Sequence, residues 1–189
     1  RLQEVANEIT LYYRNKGIRG SVVLQPANWL RLEAGVLAEE HDSLWAPSVW
    51  SIKKGDFAAN PAIDEGSLRS ALTRVHIGGR FNHLRVVYEH SAPDLMGGSY
   101  DFRQLTATAR GQLELGDRAG FDVRLKGGTN QHGRLPAQRR YVLGGLGTVR
   151  GYAYQSLLAT DPNEAPVPGS GEPYGGERMV LGNAEYTFT

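Results

Sequence analysis

Five histidines, at positions 41, 76, 83, 90 and 132, are the side chains best suited to hold a metal or move a proton. A metal needs several donors converging on one point, which local sequence usually announces as His-x-His on a strand or His-Glu-x-x-His on a helix. Neither spacing occurs. His76, His83 and His90 fall on neighbouring expected strands, where polar-face positions account for them. The glycine-rich stretch from Gly144 to Gly147 is followed by no Lys-Ser or Lys-Thr and opens no expected helix, so it is not a phosphate cradle. There is no Gly-x-Ser-x-Gly elbow for a serine nucleophile. The run from Asp161 to Gly171 is rich in Pro, Gly and acids and reads as an exposed loop tip, not a calcium site. No catalytic, metal or cofactor site is therefore expected, and the chain is not expected to be an enzyme.

The chain has 189 residues, two fifths of them hydrophobic, and a formal net charge of +1. No segment approaches the about twenty apolar residues of a membrane helix. A membrane barrel is compatible with that, because its strands hide their apolar residues in alternation. No basic face marks a nucleic-acid partner. Cysteine is absent, which suits the periplasm as well as the cytosol. Glycine is abundant, at 24 residues, as turns in an all-β chain require. The chain opens on Arg1 with no charged-then-apolar leader, so an exported protein would be expected to begin upstream.

Two periodicities position whatever chemistry there is. Leu2, Val5, Ile9 and Tyr12 recur at spacings of three and four, predicting an amphipathic helix from Leu2 to about Lys16, with Gly17 as its stop. After that the period is two. From Phe102 to Leu115, the residues Leu105, Ala107, Ala109, Leu113 and Leu115 alternate with Gln104, Thr106, Thr108, Arg110, Gln112 and Glu114. That is long for a globular strand and matches the about 9–11 tilted residues that cross a bilayer. Trp29 to Glu40, Phe121 to Thr129 and the segment from Val180 to Phe188 repeat the pattern. Weaker strands are expected at Ser21–Pro26, Ser67–Gly78 and Asn82–His90, seven in all. The apolar sides mix Leu and Val with Ala and Gly, which fill a soluble core poorly but suit lipid tails. Tight connectors at Pro26–Asn28, Gly78–Phe81 and Gly116–Arg118 alternate with long ones at His41–Glu65, Ser91–Asp101 and 130–176. Outer-membrane barrels sort their turns and loops this way. Trp29, Trp45 and Trp50 fall near strand ends or in loops, where either an interfacial aromatic belt or core packing would place them.

The segment Arg134 to Tyr152 reads RLPAQRRYVLGGLGTVRGY. The pair Gly144–Gly145, a short spacer, and then Val149, Arg150, Gly151 and Tyr152 resemble the loop motif of the BamA/TamA-like family of bacterial surface antigens. Leu135–Pro136 before Tyr141, the later pair Gly175–Gly176, and Glu185–Tyr186 on a strand extend the likeness in order. The resemblance implies an all-β fold, an antiparallel transmembrane β-barrel of sixteen strands. This chain would supply about seven of them, the sixth to the twelfth, with a short N-terminal helix. Residues 1–18 would be that helix, in an outside loop by strand parity, although Tyr13-x-x-Lys16-Gly17 also resembles the end of a periplasmic POTRA module. Residues 19–189 would be the partial barrel, with the long loop 130–176 folded inward.

The resemblance further implies that Arg150 reaches the inner wall and pairs with acidic residues. Glu185 sits on the polar side of its expected strand, and an Arg fork can engage a carboxylate through two parallel hydrogen bonds. Gly151 would allow a sharp turn, and Tyr152 would pack on the wall. The implied function is insertion of outer-membrane proteins or translocation of polypeptides. The expected partners are outer-membrane lipid, unfolded polypeptide clients and periplasmic accessory proteins, with no nucleic acid. A surface-exposed barrel with a binding or structural role, or the barrel moiety of a larger protein with a soluble enzyme domain, stands as the alternative.

Overall fold

The computed structural model describes residues 13–43, 63–116, 118–145, 148–150 and 175–188. Seven strands form one antiparallel sheet in which each hydrogen-bonds to its neighbours in chain order: β1 Tyr13–Ala27, β2 Leu30–Ser43, β3 Gly66–Gly78, β4 His83–Ser91, β5 Phe102–Glu114, β6 Ala119–Gly133 and β7 Arg178–Phe188. Strands of 9 to 15 residues suffice to cross a bilayer obliquely. The sheet does not close on itself among the described residues. The connections at 28–29, 79–82 and 115–118 all fall at one end. The connection between β4 and β5 carries one helical turn, Pro93–Met96, ended by Gly97 in the left-handed conformation.

Two compact units divide the chain. One comprises Gly17–Glu39, Ser67–Leu135 and Glu177–Thr189 and contains most of the sheet; the other comprises Arg1–Lys16, Glu40–Gly66 and Pro136–Gly176. They are called the wall unit and the loop unit below.

Direct cross-strand partners share a face, so the register decides which side chains stand together. On one face, Leu84, Ala109 and Leu125 align across β4, β5 and β6, as do Leu113, Phe121 and Tyr186 across β5, β6 and β7. On the other, Arg85, Thr108 and Lys126 align, as do Gln112, Asp122 and Glu185. The alternation read in the sequence therefore holds from β4 to β7.

The apolar face is the exposed one. Val180 is 90% exposed, Ile18 79% and Leu125 55%. A sheet stacked on another through this side would bury this set; in the wall unit it is exposed. Exposed Trp29, Phe81, Phe121, Tyr186 and Phe188 collect toward the short-turn end, as an interfacial aromatic girdle does.

Five expectations need correction. Tyr13–Lys16, expected to end a helix, lie in β1, and residues 1–12 lie outside the described residues. Gly17 is not a helix stop. It sits mid-strand, where a Cβ would collide with the Ala38 carbonyl, so the strands approach closely there. Pairing with β2 carries β1 back beyond the Ser21 at which it was expected to begin. The long connection expected from residue 130 begins only after Gly133, because a bulge at Gln131 lets β6 keep pairing with β5 up to Phe102↔Gly133. Finally, the polar face is not polar throughout. Toward the long-connection end it carries buried Leu72, Phe102, Met179 and Leu181.

Leu125→Arg is expected to destabilise the full-length protein in lipid vesicles by about 2–4 kcal/mol, since Leu125 is central on the lipid-facing side. Denaturant unfolding in vesicles measures it. A change within about 0.5 kcal/mol, as at an exposed site of a water-soluble protein, would contradict this orientation.

Candidate functional site

The motif residues lie in the loop unit, on a compact turn. Gly144 and Gly145 both have positive φ, 116° and 89°, conformations that side-chain-bearing residues resist. Thr148 holds the turn shut. Its hydroxyl accepts from the Gly144 N–H at 2.8 Å and donates to the Gly144 carbonyl at 2.9 Å, and its own N–H donates to Gly145 O at 3.1 Å. Val149 follows, half-buried, and then Arg150, which is exposed. Gly151 and Tyr152 lie outside the described residues, as do Trp45, Trp50 and Asp161–Gly171.

Two further devices brace the loop unit. Tyr141 and Gly176 form a reciprocal bridge, each N–H donating to the other's carbonyl at 2.9 Å. The 3-10 turn Ala137–Arg139 is tied down by Asp64. The Asp64 carboxylate accepts from the Ala137 N–H at 2.8 Å, which caps the turn's free donor. The Gln138 amide answers it, Oε1 accepting from the Asp64 N–H and Nε2 donating to the Asp64 carbonyl. With its amide so oriented, Gln138 presents Nε2 to Nδ1 of His41, which is 1% exposed.

In the wall unit, one carboxylate clamps the two stems of the long connection. Glu177 Oε1 accepts from the N–H of Leu135, which is fully buried, and Oε2 accepts from Asn130 Nδ2. Asn130 also donates through its backbone to the Glu177 carbonyl and through Nδ2 to Gly133 O, while its Oδ1 accepts from Arg103 N. Gly133, at φ 64°, lies so close to the Asp101 carbonyl that a Cβ could not fit.

Glu185 stands on the polar face of β7, opposite Asp122 of β6. Asp122 is occupied. It accepts from Arg110 at 2.7 and 3.2 Å and from Gln112 Nε2 at 2.6 Å. Farther along this face Glu33 accepts from Arg74 at 2.9 Å, with Arg19 3.8 Å away. His76 and His83 stack with ring centroids 5.3 Å apart.

The structure thus gathers Gly144, Gly145, Val149 and Arg150 on one turn and puts Glu185 on the charged wall. Sequence reading missed Thr148, Asn130 and Glu177. Asn130 and Glu177 are 47 residues apart, and no periodicity links them. Their one sequence signal is that each flanks the long connection. Glu177→Ala should leave the buried Leu135 N–H without an acceptor, a local cost of about 1–3 kcal/mol. Hydrogen exchange at the Leu135 amide is expected to quicken by about ten-fold or more. Unchanged exchange there would show that Glu177 does not hold the stems.

Comparison with known proteins places this architecture. Residues 76–189 match the model of the Omp85 superfamily domain. Over 96 residues the chain is 30% identical to the outer membrane protein assembly factor BamA of Nitratidesulfovibrio vulgaris strain Hildenborough, an overlap covering 49% of this chain and 11% of that protein. The chain thus matches only a small part of the length of that relative. With one antiparallel sheet, an exposed apolar face, a charged opposite face and a domain match over more than half of the sequence, the chain belongs to the Omp85 superfamily and is a protein of the bacterial outer membrane.

Proposed function

We propose that this chain is the wall and signature loop of a factor that inserts proteins into the outer membrane, working without enzymatic chemistry. The observation that carries the reading is the membrane-type sheet itself, an exposed apolar face opposite a charged one, in a chain of this superfamily whose signature glycine turn is braced by Thr148. The relative that it resembles is named for outer-membrane protein assembly.

In this reading Arg150 reaches Glu185 and locks the loop inside the barrel. Asp122 is engaged by Arg110 and Gln112, and Glu185 stands on the same polar face beside it. A lumen shielded from bulk water strengthens such a pair. With the loop locked, the barrel can stay folded while a seam between two strands loosens. The unpaired edge then offers its N–H and C=O groups to a client strand, which would otherwise enter lipid with those groups unsatisfied. Outer-membrane lipid, unfolded barrel clients and periplasmic accessory proteins are the partners this requires.

The test is reconstitution. The full-length protein in vesicles should accelerate folding of an unfolded outer-membrane barrel, read as its heat-modifiable gel mobility, over empty vesicles. Arg150→Glu should lower that rate by roughly ten-fold or more, the equivalent of about 1.4 kcal/mol, and Arg150→Glu with Glu185→Arg should recover it. No acceleration by the wild-type protein would refute the insertion role. Full activity in Arg150→Glu, or no recovery in the double variant, would refute the lock while leaving insertion standing.

A further inference from the structure

The turn-proximal half of the polar face carries more cations than carboxylates. Two adjacent rows cross the sheet there. In one, His76, Arg85, Thr108 and Lys126 are successive cross-strand partners; in the next, His83, Arg110 and Arg124 are. Neither row contains a carboxylate. Arg31 and Arg74 line the same concavity as Arg85 and His76, with Glu33 as its one carboxylate among the described residues.

The neighbouring acids are committed or lie elsewhere on the face. Glu33 is held by Arg74 and Arg19, and Asp122 by Arg110 and Gln112. Glu89 is buried and accepts from the Ser70 hydroxyl at 2.7 Å. Glu114 and Glu185 stand nearer the short-turn end, beyond both rows. Arg31, Arg85 and Lys126 have no hydrogen-bond or ion-pair partner among the described residues. Arg31 and Arg85 are exposed, and Lys126 is half-buried. Arg110 and Arg124 are direct cross-strand partners, an arrangement of like charges that works against pairing.

We infer that this part of the polar face forms an anion-attracting belt on the barrel wall, in which Arg31, Arg85 and Lys126 draw small solute anions into the lumen. Clefts lined by one sign of charge between low-dielectric walls focus the field and concentrate counter-ions. Arg guanidinium groups suit oxyanions in particular, through two parallel donors. The inference needs the sheet to be a barrel wall and does not depend on the Arg150 lock.

Thr108 is the natural reporter. It lies between Arg85 and Lys126 in the first row, and this chain has no cysteine of its own. Thr108→Cys in the full-length protein, otherwise free of reactive cysteine, is reconstituted in vesicles. It is then modified with anionic sulfonatoethyl methanethiosulfonate or its cationic trimethylammonium analogue. Relative to a small free thiol, the anionic reagent should be favoured by roughly ten-fold at low salt. High salt should erase the preference, since screening shortens the reach of the field. Adding Arg85→Glu and Lys126→Glu should reverse it; should that variant fail to fold, the salt series on Thr108→Cys alone decides. Three results would each overturn the belt: a ratio equal to that of the free thiol, a preference indifferent to salt and to charge reversal, or a cysteine that neither reagent reaches.

Discussion

Everything in this chain follows from the cost of an unpaired backbone group in hydrocarbon, several kcal/mol each. A strand can cross lipid only if its neighbours take up its N–H and C=O groups. Seven strands bonded in chain order do this for one another across the described residues. The same constraint sorts the side chains. Once the backbone is satisfied by the sheet, one face must wear groups that lipid accepts, and the charges have only the other face to occupy. Val180, Leu125 and Ile18 are exposed for this reason, and Glu33, Arg74, Arg110 and Asp122 pair on the opposite side.

The polar face is divided along its length. Toward the long connections it is packed, with Leu72, Phe102, Met179 and Leu181 buried beside Glu89 and Asn130. Toward the short turns it is charged and open. The packed end is also where the chain is most heavily fastened: Glu177 and Asn130 hold both stems of the signature connection. In the loop unit, Asp64, Gln138 and His41 brace the 3-10 turn, and Tyr141 and Gly176 close a bridge. A long segment gains more from such fastening than from its own propensities, since loop closure costs little but ordering each residue costs about 1–2 kcal/mol.

What could be read from the sequence was what has a short period. Alternation from Leu105 to Leu115 is visible because the lipid face and the lumen face make opposite demands on successive residues, and the register bears it out residue by residue. The N-terminal reading failed at Tyr13–Lys16, because a stripe at Leu2, Val5, Ile9 and Tyr12 was extended to a glycine. That glycine proved to be a place where two strands approach closely. Of the motif, Gly144 and Gly145 betrayed themselves by type, since their positive φ excludes most other residues. Thr148 did not, because a threonine whose hydroxyl both accepts from and donates to one glycine looks like any other threonine in a loop. The Asn130–Glu177 clamp was out of reach for a different reason: its partners meet only after a fold that brings distant stems together.

The claim on which the rest depends is that the Leu/Val/Ala side of the sheet touches lipid. Single cysteines at 105, 106, 107, 108 and 109 of the full-length protein, each labelled with a fluorophore, can be read for quenching by brominated acyl chains. The account predicts strong quenching at the odd positions, replacing Leu105, Ala107 and Ala109, and weak quenching at those replacing Thr106 and Thr108. Equal quenching at all five, or the opposite alternation, would contradict it.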